Sequence, residues 1–152
     1  MDIIDILNEK ACTVSLGAKN KTECLLELAR LVSFADPDSD VADLVDAFKA
    51  RETQGSTGFE NGIAIPHARL KNTDKFILGI AISKKGIDFD SVDSKKCQFF
   101  FALVGPENQP RTFLQLLAQI SLVTKGAATR KELLKAKTPL VLKEIYLENI
   151  PG

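Results

Sequence analysis

The chain has 152 residues, enough for one compact domain with a core of its own. Hydrophobic residues make up 45% of it and charged residues 26%, the balance of a globular protein. Twenty basic residues offset twenty acidic ones, which excludes a global field for nucleic acid or an anionic membrane. No apolar run approaches the ~20 residues of a membrane span, so direct membrane insertion is not expected.

The opening MDIIDILNEK carries acids where a signal peptide carries a basic region, and a cytoplasmic location is the expectation. Residues 3–9 read as a short helix and Thr13–Leu16 as a short strand. Asn20 is placed to cap a helix, with Glu23 three residues on as its reciprocal partner. Leu25, Leu28, Ala29 and Val32 give that helix one buried face. ADPDSD is turn chemistry ending in a cap, after which Val41, Leu44, Val45 and Phe48 line a second helix.

After Arg51 the character changes. Gly55, Ser56, Thr57, Gly58, Asn61 and Gly62 crowd a short loop of small, hydrogen-bonding residues. Ile63–Ile65 reads as a brief buried strand stopped by Pro66-His67, with Phe76–Ser83 and Gln98–Val104 as later strands. The second of these is almost wholly apolar, as a central strand covered on both faces should be. Gly86–Phe89 suggests a turn and a short edge strand, and Gly105-Pro106 a break. Pro110 suits the first turn of a helix whose apolar face runs through Phe113, Leu116, Leu117, Ile120 and Val123. Thr129 with Glu132, and Thr138-Pro139, mark two further capped starts. There is no linker, low-complexity tract or repeat. The expectation is a single α/β domain over residues 1–152, a mixed sheet covered by helices on both faces.

Cys12, Cys24 and Cys97 are widely spaced, form no CxxC pair, and cannot build a usual zinc set with one histidine. They read as reduced structural thiols, and no metal site is expected.

The segment RETQGSTGFENGIAIPH, Arg51 to His67, holds the chemistry. Gly55 and Gly58 permit turns that aim several N–H groups into one concavity, and Ser56 and Thr57 bring hydroxyl donors. Arg51 offers a planar, always-charged fork for phosphate oxygens. His67, the only histidine, follows a buried strand and a proline, and its neutral imidazole is a competent nucleophile with an ordinary pKa of ~6.5. Taken singly, each part also fits an ordinary turn, a helix-end charge or a structural histidine; together they suit a phosphohistidine. The loop is neither a nucleotide-binding P-loop nor a dinucleotide fingerprint, and no GxSxG elbow supports a hydrolase with His67 as general base.

The same segment resembles the active-site signature of the fructose–mannitol class of phosphotransferase-system IIA domains, of the form RExxGSTGxxNGIAIPH. The resemblance extends to MDIIDIL, NKTECLLELARLV, GIDFDSVDSKKCQFFFALVGPE and FLQLLAQIS. It implies that phosphoryl passes from phosphoenolpyruvate through enzyme I and the carrier HPr to His67, through Nε2, without metal or organic cofactor. It puts Arg51 in the place of the arginine that holds the phosphoryl oxygens, and Gly55, Ser56, Thr57, Gly58 and Asn61 in the loop lining the site. One departure stands out. Many relatives carry a second active-site histidine at the start of the later helix, just before a leucine; here Phe113 precedes Leu114. A phenylalanine can neither hydrogen-bond a phosphate nor orient the first imidazole.

The resemblance admits a regulatory IIA of the nitrogen-related branch, whose phosphorylation state controls binding to target proteins. It also admits a component of fructose-like sugar uptake that passes phosphoryl to a IIB domain. The absence of fused HPr, IIB or membrane segments within these residues, and the FALVGPE stretch, favour the regulator. A lesser alternative is an interaction module whose histidine is no longer phosphorylated, suggested by Phe113.

Overall fold

The computed structural model describes residues 1–151; Gly152, the last residue of the expected domain, lies outside them. The helices are α1 (Ile3–Ile6), α2 (Lys21–Ala35), α3 (Val41–Glu52), α4 (Pro110–Thr124), α5 (Ala127–Lys135) and α6 (Pro139–Glu148). The strands are β1 (Ile63–Ala64), β2 (His67–Leu70), β3 (Ile77–Ile87) and β4 (Cys97–Pro106).

Strand β4 is the axis of the sheet. Its outer neighbour on one side is β3, antiparallel, from Ile77 opposite Val104 to Ile82 opposite Phe99. On the other side β1 and β2 both run parallel to it, Ile63 opposite Phe99 and His67 opposite Leu103 at the same residue offset. They are one strand interrupted at Ile65-Pro66. Pro66 has no N–H to give the ladder, and the Ile65 N–H turns instead to Thr57 O at 3.1 Å. Pairing resumes at once, the Leu103 N–H bonding Pro66 O at 3.0 Å.

Period-two alternation sends the strand side chains to two cores. Leu78, Ile80, Ile82, Phe99, Phe101 and Leu103 meet α1, α4, α5 and α6 on one face. Ala64, Ala68, Ala81, Phe100, Ala102 and Val104 meet α2 and α3 on the other. The expected single α/β domain, a mixed sheet with helices on both faces, is the fold observed. All three cysteines are buried and unbridged, as structural thiols should be. Burial pushes the Cys12 and Cys97 thiols up to about 11, leaving them protonated and unreactive near neutral pH. No described helix is long and apolar enough to cross a membrane.

Several local expectations need correction. The opening helix stops at Ile6, because the Asn8 N–H bonds Leu78 O and the Asn8 side chain then caps a separate 3-10 turn, Glu9–Ala11. Thr13–Leu16 runs along β3 with backbone bonds to Ile80 and Ile82, but makes only one isolated bridge. Gly86–Phe89 forms no strand of its own: β3 continues to Ile87 through an irregularity, with Gly86 at φ 79° against Lys96. Gly105-Pro106 ends β4 rather than breaking the chain before it. A Cβ at Gly105 would stand 2.3 Å from the Phe76 ring, so the glycine lets that ring approach the strand backbone closely. Thr129 is not a cap; α5 starts two residues earlier at Ala127, and the Thr129 hydroxyl bonds the Asn149 side chain at 3.0 Å. Asn20 and Thr138 do cap their helices.

Candidate functional site

The interruption at Pro66 puts His67 at the start of β2, with Ile65 O bent back toward its own ring. The His67 Nδ1 lies 3.0 Å from Ile65 O, and Arg51 Nε lies 3.0 Å from His67 Nε2. A guanidinium can only donate, so Nε2 must be the acceptor and Nδ1 must carry the proton. The geometry fixes one neutral tautomer, with the lone pair on Nε2. The ring is only 9% exposed. Burial is the main cause holding its pKa below the ordinary 6.5; the Ile65 carbonyl opposes this, the charges of Arg51 and Arg69 add to the lowering, and Glu52 works against it.

Arg51 sits in the last turn of α3, where a cation also suits the helix dipole. Its Nη1 donates to Gly55 O at 2.8 Å, so the loop aims the guanidinium at the imidazole. Gly55 takes φ 135°, a conformation that resists a side chain, to present that carbonyl.

The rest of the loop holds itself in place rather than facing the ring. The Ser56 hydroxyl donates to Phe89 O at 2.6 Å and accepts the Gly58 N–H at 2.9 Å. The Thr57 N–H donates to Glu52 Oε1 at 3.0 Å, and its hydroxyl donates to Glu52 Oε2. Both hydroxyls, expected as donors for an acquired phosphoryl group, are here committed within the loop, to Phe89 O and to the Glu52 carboxylate. Gly58 is required by close approach, since a Cβ there would meet Phe89 O at 2.9 Å and Ser91 Cα at 3.0 Å. Asn61, exposed and at φ 62°, makes the turn into β1. It borders a separate cleft of about 180 Å³ with Phe59, Ile63, Ile65 and the end of α4.

Phe113 is fully buried beside the site. Its ring centroid is 6.5 Å from that of His67 and 5.1 Å from that of Phe76, the latter edge to face. Phe113 thus fills the space next to the imidazole and packs against the core, as its helical spacing predicts.

Sequence reasoning missed three participants. Glu52 is held at 2.9 Å by Lys21, whose ammonium also lies over the Phe89 ring, so this carboxylate ties α2, α3 and the loop together. An acid beside the arginine and ahead of the Ser-Thr pair was a readable signal. The Ile65 carbonyl has no side-chain signature at all. Arg69 shares a strand face with His67, legible only once residues 67–70 are known to be a strand rather than a stop. Among the described residues no group of three or more His, Cys, Asp or Glu is arranged to hold a metal ion.

The chemistry of this arrangement is that of a buried neutral imidazole whose free lone pair faces a fixed cation. Comparison with known proteins identifies the family. Residues 5–149 match the family described as "Phosphoenolpyruvate-dependent sugar phosphotransferase system, EIIA 2". The chain is 34% identical to a nitrogen regulatory protein of Pseudomonas aeruginosa over 143 residues, 94% of this chain and 93% of that one. It is 33% identical to the fructose-specific EIIA component of Haloferax volcanii, over 83% of this chain and 80% of that one. The crystal structure of nitrogen regulatory protein IIA-Ntr from Neisseria meningitidis superposes with a TM-score of 0.86 at 24% identity, covering 93% of this chain and 97% of that one. With residues 5–149 matched by the family model and relatives at 33–34% identity matched over most of their length, the chain belongs to the EIIA type 2 family of the phosphoenolpyruvate-dependent phosphotransferase system.

Proposed function

We propose that this protein is a cytoplasmic phosphohistidine carrier that accepts a phosphoryl group from an HPr-type donor on His67 Nε2 and acts as a regulatory IIA protein of the nitrogen type. The observation that carries the chemistry is the tautomer: Nδ1–H is held by Ile65 O, and the lone pair sits on Nε2. In the transfer, the Nε2 lone pair forms the new N–P bond as the donor histidine's N–P bond breaks and its electron pair returns to the donor nitrogen. Each ring keeps the proton on its other nitrogen, so the exchange balances. The Ile65 carbonyl steadies the proton on Nδ1 as the ring takes on positive character. Arg51 Nε–H caps the lone pair beforehand, so the arginine must swing from the ring nitrogen to the phosphoryl oxygens as the donor arrives. It costs little covalent work; positioning and charge stabilisation account for the rate.

The regulatory assignment is supported by the nitrogen regulatory relatives matched over nearly the full length. The fructose-specific relative supports a second reading, in which phosphoryl passes on to a IIB domain. The test is incubation with phosphoenolpyruvate, enzyme I and HPr, followed by intact mass. One added phosphoryl group, absent in His67→Ala, supports the carrier reading; no addition to the wild type refutes it. Transfer onward to a IIB domain then separates transport from regulation.

A further inference from the structure

Alternation along β2 puts Arg69 on the same sheet face as His67, with Leu103 and Gly105 as their neighbours on β4. Two residues of strand separate them by roughly 6.6 Å, within reach of an arginine side chain. The Arg69 guanidinium carbon stands 5.4 Å from the centroid of the Phe113 ring. Phe113 is fully buried and held edge-on by Phe76, so this platform is fixed. A guanidinium resting on an aromatic face keeps its N–H groups in the plane and free to donate sideways. Arg69 is exposed, and takes part in no ion pair or side-chain hydrogen bond among the described residues. Its charge is nonetheless felt at the imidazole, where it adds to the lowering of the His67 pKa.

We propose that Arg69 is a second phosphoryl-oxygen ligand of this site, stacked on Phe113 and clamping the group on His67 opposite Arg51. The inference rests on the carrier reading above. Arg51 reaches the ring from α3 and Arg69 from β2, so the two forks approach from different elements. Phe113 occupies the place of a polar partner, but it acts by holding the cation that contacts the phosphate. Arg69 donates hydrogen bonds and loses no proton, so the balance of the transfer is unchanged.

The experiment is single-turnover transfer from phosphorylated HPr to wild type, Arg69→Ala, Arg69→Lys and Phe113→Leu, across a range of donor concentrations. Phosphorus NMR of each phosphorylated form accompanies it. Arg69→Ala should lower the rate at saturating donor by tenfold or more and move the phosphohistidine resonance. Arg69→Lys, with the charge but not the fork, should recover part of the loss. Phe113→Leu, which keeps Arg69 but removes its platform, should lower the rate by a smaller factor. A wild-type rate and an unmoved resonance in Arg69→Ala would overturn the proposal while leaving the carrier reading intact. So would a loss that vanishes at saturating donor, since Arg69 would then serve only in docking. Failure of the wild type itself to accept phosphoryl would overturn both. Arg69 is exposed, and equal urea midpoints for wild type and Arg69→Ala would show that the loss is not one of folding.

Discussion

Arg51 Nε stands 3.0 Å from His67 Nε2, the one imidazole nitrogen left with a lone pair. On the carrier reading proposed above, the nucleophile is therefore masked by the cation that would serve its product. In the resting protein the arginine disfavours protonation of Nε2, because a second N–H there would face the Arg51 N–H. On the same reading, after transfer this cation would face a dianion instead of a lone pair.

Removing that cation has two separable effects. In Arg51→Gln the His67 pKa should rise, yet stay below 6.5, because burial is the larger cause and survives the substitution. Phosphoryl acceptance should fall on the order of 10²-fold or more, the usual effect of losing one well-placed donor. With a single histidine in the chain, proton NMR titration of its ring reads the first effect without assignment difficulty. A pKa that falls in Arg51→Gln would contradict the geometry.

Stability should depend on pH through the same ring. The folded pKa of His67 lies below 6.5 and the unfolded one near it, so between them the unfolded chain binds more protons. Stability contributed by this group is therefore intact above 6.5 and declines as pH falls toward the folded pKa, then levels off. His67→Gln should lack this decline. Urea midpoints of the two proteins at pH 5 and pH 8 give the comparison, and parallel curves would sink the idea.

Glu52 is the anchor of the signature loop. Its carboxylate takes both Thr57 donors and the Lys21 ammonium, and its side chain is only 7% exposed. Glu52→Gln keeps the size but loses the charge and one acceptor, and should cost about 1–3 kcal/mol. Chemical denaturation measures this, and hydrogen exchange should show the Thr57 amide losing protection before the β4 amides do. An unchanged Thr57 rate would mean the loop is held by other contacts.

Gly58→Ala places a Cβ against backbone atoms of residues 89 and 91, which cannot turn aside as a side-chain tip would. Destabilisation of about 1–3 kcal/mol is expected, as for overpacking in a tight interior. A thermal melt unchanged from wild type would show that the segment around Phe89 yields more easily than its contacts suggest.

Much of the architecture was legible because its signals are local. Asn20 and Thr138 announce helix starts, and the run through Phe99–Val104 announces a strand buried on both faces. What misled were the interruptions. Pro66 reads as a stop, but a proline removes only one ladder donor, and the pairing resumes because Leu103 finds the Pro66 carbonyl. Thr129 resembles a cap, yet its hydroxyl is drawn to Asn149, twenty positions away and beyond any local rule. In the site, His67, Arg51 and Gly55 were readable from residue type and order. The committed hydroxyls of Ser56 and Thr57 were not, because their acceptors, Phe89 O and the Glu52 carboxylate, are set by how the loop folds back. Phe113 was readable as a core residue, but its role as a seat for Arg69 needs the strand register.

The central place of β4 has a consequence for a chain still being made. Every strand of the sheet pairs with residues 97–106, and His67 finds its register only against Leu103. Until that segment has left the ribosome, β2 has no neighbour, and the Ile65 carbonyl, the ring and the Arg51 fork have no reason to converge. Such distant pairings form late and together. A half-synthesised chain thus carries the whole signature from Arg51 to His67 without the geometry that gives it meaning, and the histidine becomes competent only when the core closes over it.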